Sequence, residues 1–337
     1  MKIYPKIYIG PLSSSIIDTV IKFNYEVSPV GLIASRRQIE YCGGYVEGWS
    51  TKDYFKYVRG KSEKIFLCRD HAGPGQGNKN DDGVISIKDD CKYMNIIHID
   101  PWKKANTLNE ALIFTEKLIN ICYNHNKNVE YEIGTEEAIF KISPYELDYF
   151  IYSLKNIIKK DIFNKIKYVV VQSGTRIEGN KNVGVFNETS LKEFIFVCKK
   201  YGLMSKEHNG DYLDDFCIRK RFELGLDAIN IAPEFGWLES KVIIKYIERL
   251  PDIYMSFFNI CYNSKKWEKW VPDDFEIFSK DGELLINPSK LIEICGHYLF
   301  SDNFVKNIKC DFPDIDYEIR DVAYKRLMHL HQLAENF

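Results

Sequence analysis

The sequence predicts an α/β chain of the (β/α)₈ TIM barrel class with a C-terminal helical extension, and three observations carry that prediction. Eight short apolar runs of β character recur along the first three-quarters of the 337 residues. Between them lie longer segments with apolar residues at three- and four-residue intervals, the mark of amphipathic helices. Eight βα units in about 250 residues is the size such a barrel needs. An open doubly wound sheet is the competing arrangement. It is disfavoured because no strand is followed by a GxGxxG turn and every β run is similarly short and apolar.

Taken in order, the strand candidates are KIYIGP, PVGLIAS, KIFLCRD, MNIIHID, VEYEIGT, KYVVVQSG, GLMSKEH and DAINIAP. Helices fill the gaps. LNEALIFTEKLINICYN has the helical period throughout, SPYELDYFIYSLKNIIKK opens on a Ser143-Pro144 start signal, and NETSLKEFIFVCKKYG closes on Gly202. From about Leu250 the alternation stops. MSFFNICYNSKKWEKWVPDDF and the segment from Leu291 onward are aromatic-rich and mostly helical. No Gly/Ser tract separates them from what precedes. The expected organisation is a barrel over 1–250 and an extension over 251–337, packed on the barrel or on a partner subunit.

Bulk properties exclude several classes. The chain is 45% hydrophobic with a formal net charge of -2, so it lacks the basic excess that nucleic acid or a membrane surface requires. No apolar run reaches the roughly 20 residues that span a bilayer. The opening MKIYPKIYIGPLSSS reads as a first strand rather than a signal peptide. Nine cysteines, odd in number, scattered and without CxxC pairs, suit a reduced, cytoplasmic protein that uses Cys as a small core residue.

The chemistry is written at the strand ends, where the βα loops of a barrel converge on one cleft. IFLCRDHAGPGQG, residues 65 to 77, runs from an apolar strand into Asp70 and His71 and then into a Gly/Pro loop. The fourth run carries His98 and Asp100, and the fifth carries Glu132. The sixth ends in Gln172-Ser173-Gly174 with Arg176 beyond, and the seventh in Glu207-His208-Asn209. The second ends in Ser35-Arg36-Arg37-Gln38. So many ionisable groups at strand ends are costly unless they pair, bind a metal or meet a ligand. Plainer readings exist for some. His98 suits a satisfied barrel histidine, Glu136 and Glu137 a helix cap or solvent, and Arg36 and Arg37 salt bridges to Glu40 and Glu47. His125, His329 and His331 read as surface residues. Two histidines and a carboxylate from different strands suffice for a catalytic divalent metal with open positions, Zn²⁺ first, Mn²⁺ or Mg²⁺ where carboxylates and waters dominate. Such an ion polarises a carbonyl, and Asp70, next to His71, is placed to move a proton.

The blocks ASRRQIEYCGGYVEGWSTKDYFKYV, LCRDHAGPGQG, IIHIDPW, YEIGTEEAI, VVVQSGTR, SKEHNGDYL and DAINIAPEFGWLES resemble, in order and spacing, those of the GatZ/KbaZ-like proteins. Those are the so-called non-catalytic subunits of D-tagatose-1,6-bisphosphate aldolase, relatives of the class II metal-dependent sugar-phosphate aldolases. The resemblance covers roughly residues 5 to 250. It implies a barrel with a metal-dependent aldolase-like site that acts on a phosphorylated or otherwise acidic sugar. The expected reactions are C–C cleavage or C4 epimerisation of a ketose phosphate, and the alternative is a partner subunit that supports a separate aldolase.

By position, Asp70 resembles the proton-transfer aspartate, and His71 and His208 resemble zinc ligands. Gln172 stands where the third ligand histidine would fall, so Glu132 or Glu207 is expected to complete the set. Asp100 and Glu132 join Asp70 as catalytic candidates. Arg36, Arg37, Gln38, His98, Gln172, Arg176 and Asn209 are the expected substrate contacts. The two arginines depart from the usual neutral pattern, and the last two strand loops lack a Gly/Ser-rich phosphate nest. The expected partners are a small sugar or sugar phosphate and a second subunit, either another copy or an aldolase.

Overall fold

A computed structural model describes residues 2–77, 80–335 and 337. Eight parallel strands close into a barrel: β1 (Ile7–Ile9), β2 (Gly31–Ser35), β3 (Leu67–Ala72), β4 (Ile96–Ile99), β5 (Glu130–Gly134), β6 (Ile166–Val171), β9 (Met204–Glu207) and β10 (Ala228–Ile231). Strand β1 pairs with both β2 and β10, which closes the ring. All eight sequence-predicted runs form these strands. An antiparallel hairpin, β7 (Ile177–Glu178) and β8 (Lys181–Asn182), is inserted after β6. The sequence reading did not anticipate it.

The strands are apolar on both faces because both are covered. Tyr8, Ile33, Cys68, Ile96, Tyr168 and Ala228 fill the barrel interior, where Tyr8 Oη donates to Tyr168 Oη at 3.0 Å. The opposite faces pack on the surrounding helices. The helix Pro144–Ile157 begins as its sequence requires, with Ser143 and Glu146 forming a reciprocal capping box. It buries Leu147, Phe150, Ile151 and Leu154, each contributing about 1.5–3 kcal/mol. The helix Glu188–Lys200 is followed by Gly202 at φ +70°, a left-handed position that suits glycine.

The eighth barrel helix, Pro233–Ile247, gives way to Pro251–Ser264, Pro288–Cys295, Asn303–Asp311 and Asp314–Ala334. The last of these buries Ile315, Ile319, Ala323, Leu327, Leu330 and Leu333 and packs against the barrel helices Ser14–Glu26 and Pro233–Ile247. The middle of the extension reaches the barrel mouth, where the inserted hairpin meets it. Gly179 N donates to Trp270 O at 2.6 Å and Asn180 Nδ2 donates to Glu293 Oε2 at 3.0 Å. All nine cysteines are unpaired. No helix among the described residues is long and apolar enough to cross a membrane.

Candidate active site

Successive residues of a strand face opposite sides, so Asp70 and His71 cannot both reach the interior from a regular β3. The strand is not regular there. Its register with β4 shifts between Arg69 and Ala72, and His71 adopts φ +49°. This bulge turns both side chains into one cavity. A non-glycine residue in the left-handed region costs about 1–3 kcal/mol and is held by its surroundings. Here the holder is Asp100, whose Oδ2 lies 2.6 Å from His71 Nδ1. The Gly/Pro loop then folds back over Asp100: a Cβ at Gly73 would lie 2.0 Å from Asp100 O. Glycine there is what lets the loop seat the carboxylate that seats His71.

Three imidazoles surround Asp70. The ring centroids of His71, His98 and His208 lie 5.4, 5.7 and 4.9 Å apart pairwise. Each ring has one nitrogen held by the protein on the side away from Asp70, and His98 Nδ1 also accepts from His71 N at 3.3 Å. Asp100 takes His71 Nδ1, Gly134 O accepts from His98 Nε2 at 3.1 Å, and Glu132 Oε1 lies 2.6 Å from His208 Nε2. The remaining nitrogens face Asp70: His71 Nε2 at 3.5 Å, His98 Nδ1 at 3.3 Å and His208 Nδ1 at 3.6 Å. Engaging one ring nitrogen to aim the other is how proteins orient metal-binding histidines. Asp70, His71 and His208 form a compact group able to hold a cation, as do His71, His98 and Asp100, and His98, Glu132 and His208. The donor set is compatible with a divalent metal.

The local field is negative. Burial opposes charge on His71, but Asp70, Asp100 and Glu136 together push it up to about 10. His98 is likewise raised against burial, chiefly by its hydrogen bond to Asp70 and the charge of Glu132. Burial would raise Asp70, yet His71, His208 and His98 hold its carboxyl well below the usual range. Glu132, also buried, is held down by Lys206 and His208. Lys206 Nζ donates to Glu132 Oε2 at 2.8 Å and rests 3.8 Å over the Tyr8 ring. The carboxylates outnumber the permanent cations at this spot, which is the electrostatic setting for a bound metal ion.

The cavity above the imidazoles holds about 560 Å³. Arg37, Gln38 and Asn209 line it, with Asp70 and His71 at its floor. Sequence reasoning missed the rest of the wall. Lys269, Trp270, His297 and Tyr298 come from the extension, Lys103 and Trp102 from the loop after β4, and Glu136 from the loop after β5. Glu136 is neither cap nor solvated. Its Oε1 lies 3.8 Å from His71 Nε2, and its other oxygen accepts from Asn209. Trp102 Nε1, His297 Nδ1 and both amide atoms of Asn230 are buried without a hydrogen-bond partner among the described residues. Asn230 shares the inward register of Ala228 on β10.

Several expectations are corrected by the packing. Arg36 is 1% exposed and does not reach the cavity. Its guanidinium is consumed by Glu40, Asp81 and Gly73 O. Glu47 pairs with Ser14 and Lys306 instead of Arg37. Glu207 is not beside the imidazoles, because alternation places it on the outer face while Lys206 and His208 face inward; it is held by Arg221 and Ser173. Gln172 is spent on the loop after β5, donating to Thr135 O and Phe140 O and accepting from Ile142 N. Arg176 is exposed beside the hairpin and contacts Glu178. Glu132 has both oxygens engaged, by Lys206 and His208, and still groups with His98 and His208 as donors able to hold a cation.

Fold and site define a closed (β/α)₈ barrel whose mouth carries a histidine–carboxylate centre. No protein-family model matches the chain, and no curated sequence does. Solved structures share its fold. A probable tagatose 6 phosphate kinase from Sinorhizobium meliloti 1021 superposes with TM-score 0.67 at 16% identity, covering 98% of this chain and 87% of that one. The fructuronate-tagaturonate epimerase UxaE from Cohnella laeviribosi gives TM-score 0.65 at 12% identity over 98% and 81%. The fructose-bisphosphate aldolase of Campylobacter jejuni gives 0.62 at 14% over 98% and 90%. At these identities the likeness establishes the architecture.

Proposed function

We propose that the chain is a metal-dependent enzyme that breaks and re-forms a C–C bond in an acidic ketose, either as an aldolase or as a C4 epimerase. The observation that carries this reading is the ring of three oriented imidazoles around Asp70. His71 and His208 would hold the metal, with His98 as the third donor in place of Glu132 or Glu207. Three neutral nitrogen donors suit Zn²⁺. Bound there, the ion would polarise the substrate carbonyl.

The chain's own groups supply the rest. Asp100 and Glu132 orient two of the imidazoles. Asp70, ionised and open to the cavity, accepts the proton of the C4 hydroxyl as the C3–C4 bond breaks, and the bond's electron pair passes into the C2 carbonyl. Re-addition to the other face of the new aldehyde returns the C4 epimer; departure of the aldehyde gives cleavage. Arg37 and Gln38 orient the acidic end. Nine free thiols fit a reducing, cytoplasmic setting. Solved structures that share this architecture are named as an aldolase and as an epimerase of sugar acids, in line with both outcomes.

The test loads the purified chain with Zn²⁺, Mn²⁺ or Mg²⁺ and assays a panel of ketose phosphates and ketose acids, with Asp70→Asn as control. Turnover that Asp70→Asn lowers by about 10²–10⁴ supports the reading. Absence of turnover on every substrate with every metal removes it, and then favours a chain that only supports a separate aldolase subunit.

A further inference from the structure

Barrels of this class often hold a substrate phosphate on backbone N–H groups of the last two βα loops, at a helix N-terminus. In this chain those donors are already used. Ala232 N and Glu234 N both donate to Asp211 Oδ1 at 2.8 Å. Tyr212 N donates to Glu234 Oε2 at 2.7 Å, and Gly210 N to Asn230 O at 2.9 Å. Pro233 offers no N–H. Asp211, 2% exposed, fills the position an incoming anion would take. A ligand phosphate there would meet the side chains of Asp211 and Glu234, with the backbone N–H groups of Gly210, Tyr212, Ala232 and Glu234 already bonded.

The cavity's positive charge lies elsewhere. Arg37 follows β2, Lys103 follows β4, and Lys269 comes from the extension; all three line the cavity. Unlike Arg36, with its two carboxylates, none of the three has an ion-pair partner among the described residues. Lys269 Nζ is held over the rings of Trp270 and Tyr298, 4.4 and 4.9 Å from their centroids. The three cations repel one another. Burial and Arg37 lower Lys103, while burial with Arg37, Lys266 and Lys103 pushes Lys269 down to about 7. Glu136 faces the same space but is taken by His71 and Asn209. Like charges that line a cavity without ion-pair partners of their own are unfavourable until a ligand supplies the counter-charge. The cavity's acids, Asp70 and Glu136, do not supply it, since they are engaged by the imidazoles and Asn209.

We propose that the substrate carries one terminal oxyanion rather than two, and that Arg37, Lys103 and Lys269 anchor it. The inference deepens the reading of this cavity as a substrate site and rests on that reading, but not on retro-aldol chemistry. It makes a ketose bisphosphate a poor match, since the second phosphate would find no seat in the last two loops. The shared chemistry is a terminal phosphate or carboxylate on a sugar of ordinary length.

The test is calorimetric binding to the full, chelator-treated chain, so that no outcome depends on turnover. The probes are D-fructose 6-phosphate, D-fructose 1,6-bisphosphate and D-fructuronate. The expectation is that the monophosphate or the uronate binds, and the stronger of the two identifies the anion. The bisphosphate should bind no more than about threefold tighter than the monophosphate. Lys269→Gln and Arg37→Gln should each weaken the favoured probe about tenfold. Lys269→Gln should keep or raise Tm without ligand, because it removes repulsion; a merely structural lysine would lower it. Three results each overturn the proposal: a bisphosphate more than about tenfold tighter than the monophosphate, affinities unchanged in both variants, or binding of none of the three probes. A chain that binds as expected yet turns nothing over with metal keeps this anion site and loses the retro-aldol reading.

Discussion

Replacing Glu132 by Gln removes one charge from a buried chain of three groups and should be felt twice. Glu132 Oε2 accepts from Lys206 Nζ at 2.8 Å, and Oε1 lies 2.6 Å from His208 Nε2. Both Glu132 and Lys206 are fully buried. Gln keeps the shape but leaves the ammonium without its counter-charge. Breaking a buried pair costs about 3–5 kcal/mol. Lys206 keeps its place over the Tyr8 and Tyr168 rings in both forms, so that contact cancels in the comparison. The net expectation is a loss of about 3–5 kcal/mol, visible in urea unfolding at pH 7. The second effect is on His208, which loses the acceptor that fixes its ring; metal affinity should fall about 10–100-fold by chelator competition. The pH dependence has a definite sign. The folded carboxyl is held below its ordinary 4.5, so the unfolded chain binds more protons in acid. Its contribution is full above about pH 4.5 and fades as pH falls below that, where wild type and variant should converge. Equal urea midpoints, equal Zn²⁺ affinity and parallel pH curves would together refute the reasoning.

Three further outcomes are expected. Asp100→Asn removes the carboxylate that seats His71 Nδ1 at 2.6 Å, and should weaken Zn²⁺ binding about 10–100-fold in the same competition assay. Arg36→Gln strands Glu40 and Asp81 and should lower stability by about 3–5 kcal/mol in denaturant, while the folded fraction binds sugar probes as wild type does. Arg37→Gln should behave in the opposite way. Sulfate, whose charge is fixed near neutrality, should bind more weakly as pH rises from 6 to 8, because Lys269 titrates at about 7 and only its charged form attracts. His297 beside it, pushed down to about 3 by burial and by Lys269, stays neutral through that range. The slope should vanish in Lys269→Gln; a slope that persists there would assign the effect to another group.

The eight strands were legible because each is a short run covered on both sides, so that apolar residues dominate regardless of facing. The site was legible as a set of residue types at strand ends, but which neighbours face inward was only partly so. That Asp70 and His71 share a cavity depends on a bulge that no local pattern announces. For Glu207 and His208 the period of two already held the answer: with His208 inward, Glu207 must face the helices. Arg36 and Arg37 look alike in sequence, and the neighbouring Glu40 together with the distant Gly73 and Asp81 consumes Arg36. Gln172 fell to loop hydrogen bonds that sequence does not encode in any period. Lys269, Trp270, His297 and Tyr298 lie far along the chain in segments with helical or irregular patterning, and only their packing over the mouth makes them part of the site.

The contact between the β7–β8 hairpin and the extension has a bearing on how this chain can change. Gly179 and Asn180 grip the segments that carry Trp270 and Glu293, so the wall bearing Lys269 is positioned by a six-residue tongue that lines no part of the cavity floor. Selectivity can therefore drift through mutations that never meet a ligand. A library varied only in that tongue would explore new specificities while leaving the imidazoles and their carboxylates untouched.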